Sequence, residues 1–334
     1  MIASIIVLNY QGEKIISKTI DSLLKLNFPR KDYEIIVVDN NSQDRSKEII
    51  NKYSKYIKTV FLPTNLGFGE GNNQAIKTVN SKYIALLNND CIVEPNWLTE
   101  LVKTANKYPK AFSITSKIKK YPESLNLIQN AGSIIFQDGY GRDIGAIVTK
   151  SRQQNYESDA NQFDQVQEIY SSCGAAVLYN KKVLDKIGLF DNNFFMYYED
   201  TEISERAYLC GYHNYYCPKA VVYHHHAVSS KEWSAFFIYN VEKGRLLHVL
   251  YHFPLIIFLQ QYFLFSLKSK LRFMKSLVKQ NDVLKNWQYL KVSLYFFLNF
   301  PRLILKRYSY SRLYSPKKRD FLYQQILSGY WYFN

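Results

Sequence analysis

The first ninety residues alternate short apolar runs with longer amphipathic stretches. The apolar runs predict strands at Ile2–Leu8, Tyr33–Val38, Ile57–Leu62 and Tyr83–Leu87. The stretches between them predict helices at Glu13–Leu26, Ser42–Tyr53 and Gly71–Val79. Apolar strands that alternate with helices are typical of a mostly parallel sheet covered on both faces, so we predict an α/β fold.

Polar residues follow each of these strands. They are Asn9-Tyr10, Asp39-Asn40-Asn41, Asn65 to Gly69, and Asn88-Asn89-Asp90. Ligands of such sheets bind beyond the carboxyl ends of the strands, near a switch in strand order. The pattern therefore predicts one binding site to which all four strand ends contribute.

The middle of the chain is less regular. Residues 137–168 are polar, which predicts a mobile surface loop. Regular structure is expected again at Glu168–Tyr179, with helices at Lys181–Ile187 and Thr201–Cys210 and a last strand at Ala220–Tyr223.

The pattern changes in the last third of the chain. Leu246–Leu267 contains no charged residue, and a second apolar stretch, Val292–Leu305, is interrupted by Pro301. A membrane span, helices lying at a membrane surface, and a soluble bundle through which copies of the chain associate all remain open. Pro254 and several polar side chains argue against a span, whereas basic flanks and tryptophans favour surface helices, the tryptophans being Trp233, Trp287 and Trp331.

Charge separates the same two regions. Residues 1–226 hold 26 Lys/Arg and 24 Asp/Glu, whereas residues 227–334 hold 17 Lys/Arg and 4 Asp/Glu, out of a net charge of +15. A basic, aromatic segment suits an anionic surface, either lipid or nucleic acid. No fold known to bind nucleic acid is visible in the sequence, so we expect lipid and no nucleic acid.

Two further features bear on the compartment. The cysteines form no CxxC pair, which excludes a zinc-knuckle spacing and favours reduced thiols in a cytosolic protein. The N-terminal segment MIASIIVLNY lacks the basic region and cleavage site of a signal peptide. We therefore expect the first 226 residues to stay in the cytoplasm.

Two strand ends carry carboxylates with more than one interpretation. Asp39 can accept hydrogen bonds from a base or ribose, or it can cap the helix predicted after it. Asp90 is the acidic member of Asn88-Asn89-Asp90 and can bind a hard divalent ion that neutralises a diphosphate. A plain turn explains this segment equally simply.

A second acidic cluster and a histidine run lie further along the chain. Glu199, Asp200 and Glu202 fall within four residues, so their mutual repulsion should raise at least one pKa. Such a carboxylate can deprotonate a hydroxyl, although acids at a helix start also favour the helix dipole. The run from His224 to His226 can bind a metal or phosphate, or it can be an inert surface feature.

These segments together resemble a known family. The matching stretches are SIIVLNYQG (Ser4–Gly12), IIVVDNNSQDRS (Ile35–Ser46), NLGFGEGNNQAI (Asn65–Ile76), LLNNDCIVEPNWL (Leu86–Leu98), and the segment Cys173–His225. In this order they resemble the family 2 glycosyltransferases with the Rossmann-like GT-A fold, especially a rhamnosyltransferase-like branch. The resemblance implies a catalytic domain at 1–226, with a nucleotide-sugar half at about 1–98 and an acceptor half at about 99–226, followed by a helical region at 227–334.

The resemblance also implies an activity. It is the inverting transfer of a sugar from a UDP- or dTDP-linked donor to a hydroxyl of a glycan or lipid-linked acceptor, in cell-surface polysaccharide or glycoconjugate synthesis. A processive polysaccharide synthase is the first alternative. Synthases of that class resemble proteins with a Gln-x-x-Arg-Trp motif, and this chain contains no Arg-Trp pair. A non-catalytic protein that binds nucleic acid or membrane is the second.

Site roles follow from the resemblance position by position. Asp200 matches the general base and Glu199 its neighbour, while Glu202 is a candidate acceptor contact. Asp90, His224 and Asn88 would hold Mg²⁺ or Mn²⁺, with Asn88 in place of the family's first Asp and therefore without its charge. The remaining positions would line the nucleotide-sugar pocket: Asn9, Tyr10, Asp39, Asn65, Gly67, Phe68, Asn72, Asn88 and Asn89.

Overall fold

The computed structural model of the protein describes residues 1–148, 154–225 and 233–329. Its strands are β1 Ala3–Asn9, β2 Tyr33–Asp39, β3 Lys58–Phe61, β4 Tyr83–Asn88, β5 Cys91–Val93, β6 Ala111–Lys120, β7 Leu127–Asn130, β8 Ser133–Ile135, β9 Gly141–Asp143, β10 Ala146–Val148, β11 Gln154–Ser158, β12 Gln167–Ile169, β13 Ala176–Asn180 and β14 His213–His224. Its helices are α1 Ile16–Leu24, α2 Ser46–Asn51, α3 Gly67–Ile76, α4 Trp97–Lys107, α5 Lys181–Ile187, α6 Glu199–Leu209, α7 Ala235–His252, α8 Leu255–Lys279, α9 Val283–Ser311 and α10 Pro316–Leu327.

One large mixed sheet forms the centre of the fold. The strands β3, β2, β1 and β4 lie side by side and run parallel. The sheet continues through β13, which is antiparallel to both β4 and β6, while β14 runs parallel along β6. The register pairs Asn9 with Asp39 and Leu8 with Asn88, so the carboxyl ends of β1, β2 and β4 are level. The predicted α/β fold is confirmed, with a parallel first part and a mixed continuation.

Helices cover both faces of this sheet because alternate strand residues point to opposite faces. On one face, Ile5 and Val7 of β1 belong to the same buried core as Trp97 of α4. On the other face, Ile6 belongs to a second core together with Ile203 of α6. All five side chains are fully buried. The acidic residues at the start of α6 are therefore carried by a helix that packs on the sheet.

The region 137–168 differs from its prediction. Its described part contains β9, which pairs with β8, and β11, which pairs with both β7 and β10. For these described residues the expectation of a mobile surface loop was wrong, because they form strands by pairing with strands outside the segment despite their polar composition. Two other elements begin earlier than predicted: α3 begins at Gly67 rather than Gly71, and β14 begins at His213 rather than Ala220.

The last third of the chain is helical and packs against the first part. Leu246, Val249 and Tyr251 of α7 are fully buried in a core that also contains Tyr170 and Leu209. The uncharged stretch Leu246–Leu267 is divided between α7 and α8, with Pro254 at the N-cap of α8. Among the described residues, none of the helices combines the length and the apolar character needed to cross a membrane.

Candidate functional site

The strand-end side chains form one hydrogen-bonded group. Asn9 Nδ2 donates to Asp39 Oδ2 at 2.9 Å, and Asn89 Nδ2 donates to Asn9 Oδ1 at 2.9 Å. Asp39 Oδ1 also accepts from the backbone N–H of Ser42 at 2.9 Å. Asp39 does not cap the helix that follows, since α2 begins at Ser46 with Arg45 at its N-cap. Its side chain instead accepts within the turn after β2, and its contact with a nucleotide stays a prediction. Tyr10, which follows Asn9 directly, is exposed.

The loop that enters α3 lies against the segment that leads to α6. Gly67 has a φ of +78°, and a Cβ there would lie 2.2 Å from the carbonyl oxygen of Phe195, so this position needs glycine. The turn is fixed by Asn65 Oδ1, which accepts from Gly67 N–H at 2.9 Å, while Phe68 N–H donates to the Phe195 carbonyl at 2.7 Å. Asn72 Nδ2 donates to Phe68 O, but its buried Oδ1 has no hydrogen-bond partner among the described residues. A buried acceptor without a partner is suited to a donor group on a ligand.

Asp90 and His224 form the candidate metal centre. Asp90 Oδ1 lies 3.0 Å from His224 Nε2, and both residues are nearly buried. His224 Nδ1 lies 3.1 Å from Gln129 Oε1. With that amide oxygen as acceptor, the ring proton is assigned to Nδ1, and Nε2 presents a lone pair to a carboxylate oxygen. Two acceptors at this distance need a cation or a proton between them, so the pair fits a divalent metal.

The other predicted metal ligands are less well defined by the geometry. Cys91 lies close enough that its Sγ and the ligand atoms of the Asp90–His224 pair all fall within 4.8 Å of one another. Burial raises the pKa of the Cys91 thiol well above its ordinary value, which disfavours the thiolate that a metal prefers. Asn88 ends the strand just before the pair, and its ligand role stays a prediction. Of the histidine run, His224 faces the carboxylate, His225 stacks on a tyrosine ring, and His226 lies outside the described residues.

Glu199 and Asp200 open α6 on the other side of the site. Asp200 Oδ2 accepts from the N–H of Gly174 at 2.9 Å, and Oδ1 accepts from the N–H of Thr201 at 2.7 Å. Burial raises the pKa of Asp200, and these two N–H groups oppose that rise. Burial and the charge of Asp200 raise the pKa of Glu199 to about 8. Because the charge of Asp200 contributes to the raised pKa of Glu199, Glu199 holds its proton more strongly than Asp200 does, which suits Asp200 to the role of base.

A third carboxylate near this pair was missed by the sequence reasoning. Asp143 ends β9, where its Oδ1 accepts from Ser133 Oγ at 2.9 Å. Burial raises the pKa of Asp143 to about 6, the charge of Asp200 adds to the rise, and His224 opposes it. Cys173 interacts electrostatically with Asp143, Asp200 and Glu199, so these acids belong to one cluster. The acidic DGYGRD segment was the available signal, but its polar composition was interpreted as a loop.

Glu202 does not lie where an acceptor could reach it. Its side chain is fully buried, with Oε2 2.6 Å from Arg206 Nη2 and Oε1 3.0 Å from His252 Nε2. Burial would raise the pKa of Glu202, but Arg206 and His252 together lower it to about 2. The expectation of an acceptor contact is corrected accordingly: this carboxylate links α6 to α7.

With this geometry established, comparison with known proteins identifies the family. The sequence model of Glycosyl transferase family 2 matches residues 4–188. The chain belongs to glycosyl transferase family 2. The predicted family is thereby confirmed, while the rhamnosyltransferase-like branch stays a prediction.

Two curated relatives illustrate the similarity. Poly-beta-1,6-N-acetyl-D-glucosamine synthase of Staphylococcus epidermidis is 26% identical over 216 residues, which cover 64% of this chain and 47% of the synthase. Poly(ribitol-phosphate) beta-glucosyltransferase of Bacillus spizizenii is 38% identical over 91 residues, which cover 26% of this chain and 14% of that enzyme. This family 2 chain therefore spans about half the length of the synthase that it matches.

Solved structures are similar in fold. The crystal structure of GalNAc-T7 with UDP, GalNAc and Mn²⁺ has a TM-score of 0.62 at 17% identity, covering 80% of this chain and 51% of that chain. S. aureus TarS in complex with UDP-GlcNAc has a TM-score of 0.52 at 19% identity, covering 98% and 88%. Together with the family match, these likenesses confirm the predicted GT-A fold.

Proposed function

We propose that the protein transfers a sugar from a UDP- or dTDP-linked donor to a hydroxyl of a glycan or lipid-linked acceptor, with inversion, in cell-surface polysaccharide or glycoconjugate synthesis. The observation that carries the proposal is the buried pair Glu199 and Asp200: two backbone N–H groups hold the carboxylate of Asp200, and its charge raises the pKa of Glu199. Family membership and the candidate metal pair on the same cluster support it.

Asp200 is the proposed base. It takes the proton from the acceptor hydroxyl, and the oxygen attacks the anomeric carbon on the side opposite the departing diphosphate, which inverts that carbon. The two backbone N–H groups from Gly174 and Thr201 hold the carboxylate in one orientation. Glu199, protonated at neutral pH, adds no second negative charge beside the base.

The donor diphosphate is expected beside the metal pair. Asp90 and His224 would hold Mg²⁺ or Mn²⁺, with Asn88 as a neutral oxygen ligand, and the bound ion would neutralise charge on the departing diphosphate. The nucleotide and sugar would bind along the strand ends. The unpaired Asn72 Oδ1 and the hydrogen-bonded group around Asn9 support that placement.

The base assignment is tested with Asp200→Asn. The change removes the proton acceptor but keeps the shape, so transfer should fall by about 10²–10⁴-fold while nucleotide binding stays close to wild type. A matched control is Asp185→Asn, which makes the same change at an exposed helical position. The donor is first chosen by thermal-shift stabilisation with UDP, dTDP and their sugar conjugates. Wild-type turnover in the Asp200 variant would refute the assignment.

A processive synthase is a second candidate because the chain is 26% identical over 216 residues to the poly-beta-1,6-N-acetyl-D-glucosamine synthase of Staphylococcus epidermidis. The two functions differ in product length. A non-processive enzyme adds one sugar per acceptor encounter, whereas a synthase yields long chains while most acceptor is unused. Mass spectrometry of products at low conversion separates them.

The helical region supplies a proposed membrane surface. One face of α8 exposes an apolar stripe at helical spacing, formed by Ile256, Phe263, Leu267, Leu271, Met274 and Val278. The same helix carries basic residues but no acidic one, and those exposed to solvent are Lys268, Lys270, Arg272, Lys275 and Lys279. The neighbouring α9 exposes Phe297, Leu298 and Leu305. Exposed apolar side chains flanked by basic side chains on the same helix complement an anionic bilayer, so our proposal puts the protein on the inner face of the cell membrane as a peripheral cytoplasmic enzyme.

Vesicle sedimentation tests this surface. The protein should bind vesicles that contain phosphatidylglycerol more tightly than vesicles of phosphatidylcholine alone, and added salt should weaken binding. Phe263→Asp with Phe297→Asp should abolish binding, whereas Tyr56→Asp, at another exposed aromatic residue, should not. Unchanged binding by the double variant would refute the assignment. If the wild type binds no vesicles but forms a homo-oligomer that the double variant loses, the surface is instead covered by a second copy of the chain.

A further inference from the structure

The two residues before the candidate acids have an unusual backbone. Tyr197 and Tyr198 have φ values of +70° and +68°, in the left-handed region that non-glycine residues rarely adopt. Two such residues in succession persist when the surrounding structure holds them in place. Because Glu199 and Asp200 follow directly, the conformation of this step sets where the candidate base points.

The step is held by α7, a helix beyond the family match that ends at residue 188. Gly244 faces it: a Cβ at Gly244 would lie 2.9 Å from the carbonyl oxygen of Tyr197 and 3.0 Å from Cβ of Tyr198. The ring of Phe237, also on α7, packs edge-on against Tyr197 with centroids 5.2 Å apart. The absence of a side chain at Gly244 is therefore what allows this close approach.

The turn that leads into β9 completes the contact. Tyr198 OH donates to Gly139 O at 3.0 Å and accepts from Gly141 N–H at 3.2 Å. Gly139, with φ of +80°, packs on α7, where a Cβ would lie 2.3 Å from Val249 Cγ2. Arg245 of α7 donates to the carbonyl of Asp138 at 2.8 Å. The helix, the turn and the tyrosine step thus form one packed unit.

Two buried pairs join the same helix to α6 behind the acids. His252 Nε2 lies 3.0 Å from Glu202 Oε1, and His248 Nε2 lies 2.8 Å from Glu205 Oε2. All four side chains are buried. α7 therefore contacts both the segment that enters α6 and the helix itself.

We propose that Gly244 is a positioning residue for the transfer reaction: through its contact with the Tyr197–Tyr198 step, α7 sets the orientation of Asp200. This inference rests on the proposed function for its consequence in catalysis, but its structural content is independent of the donor. The N–H of Gly174, which donates to Asp200 Oδ2 at 2.9 Å, provides a local reporter of the carboxylate position.

The test is Gly244→Ala in the full chain, with hydrogen exchange at Gly174 as the first measurement. An added methyl must push the tyrosine step away, so the Gly174 amide should exchange faster. Alanine is the better helix former, so an unstrained site would show unchanged exchange and equal or greater thermal stability. That result would overturn the proposal. The matched control is Gly141→Ala, which keeps the backbone N–H that donates to Tyr198 OH and whose Cβ would meet nothing closer than 3.6 Å, so exchange at Gly174 should be unchanged.

Kinetics provide the second measurement. With UDP-GlcNAc as probe and UDP release as readout, Gly244→Ala should lower kcat by roughly 10- to 100-fold, with KM for the donor nearly unchanged. A role in overall stability alone would not separate kcat from KM in this way. Tyr198→Phe is a milder change that removes the hydroxyl contacts, and it should also lower kcat. If Gly244→Ala does not fold, the result for Tyr198→Phe decides whether the contact positions Asp200. If wild type releases no nucleotide from any sugar donor, the proposed function fails, while the exchange result still decides the positioning.

Discussion

The buried pair Glu202 and Arg206 offers a sharp test of the energetics in α6. The guanidinium of Arg206 donates to both carboxylate oxygens of Glu202, at 3.0 and 2.6 Å, and to three backbone carbonyls, those of Ile187, Gly188 and Leu189. Neither side chain is more than 1% exposed. Arg206→Met would keep much of the volume but leave a buried carboxylate without its guanidinium and remove these donors.

Removing one partner of a buried pair costs about 3–5 kcal/mol. An unfolding entropy of about 2.1 cal/mol/K per residue, applied to 334 residues, converts that loss to a fall of roughly 4–7 °C in Tm. The matched control is Lys181→Met, which removes the ion pair between Lys181 and Asp185 in α5. That pair has the same i,i+4 spacing, but its aspartate is 57% exposed. Exposed helical pairs contribute about 0.3–0.5 kcal/mol, so the control should shift Tm by less than about 1 °C.

Acid pH adds a second signature. The pKa of Glu202 is about 2 in the folded state and has an ordinary value of 4.5, so its contribution is present above about pH 4.5 and is lost as the pH falls towards 2. The Tm difference between wild type and Arg206→Met should therefore shrink between pH 7 and pH 3. Equal Tm losses for the buried and exposed variants at neutral pH would refute the reasoning.

Three other predictions concern the site itself. Gln129→Leu removes the partner that orients His224, so Mn²⁺ affinity measured by calorimetry should fall by about 10- to 100-fold. Glu199→Gln should increase stability at neutral pH, because the raised pKa of Glu199 makes wild-type stability decline as the pH rises from about 4.5 to about 8. Urea unfolding at pH 5 and pH 8 should show that the free energy of unfolding depends less on pH in the variant. Gly67→Ala should weaken UDP binding in a fluorescence titration, since a Cβ there collides with a backbone carbonyl and φ is positive.

The strand ends could be predicted from the sequence because the signal is local. Apolar runs with a polar residue at the end give both the strand and its functional edge, and parallel pairing brings Asn9, Asp39 and Asn88 level. The family pattern pairs His224 with Asp90, and the two side chains do lie 3.0 Å apart although the chain separates them widely; their metal role stays a prediction. Their contact depends on β14 pairing with β5, which no local pattern encodes.

The errors have a common physical origin in contacts between distant parts of the chain. Asp143 was missed because its position depends on β9 pairing with β8, and a polar composition does not signal that pairing. The family resemblance implied Glu202 as a candidate acceptor contact, but His252 of α7 covers it. A carboxylate near a predicted base is buried or accessible according to what packs on it, which propensity and periodicity do not determine.

The packing of α7 on α6 also bears on modularity. Removing everything after residue 226 would uncover Glu202 and Glu205, both fully buried carboxylates, and would divide the apolar core that Tyr170 and Leu209 share with Leu246. We therefore expect that the helical region cannot be deleted, or exchanged between relatives like a detachable anchor, without loss of the fold around the acids. Selection on any residue of that interface would act on both regions at once, so they should diverge together rather than recombine freely.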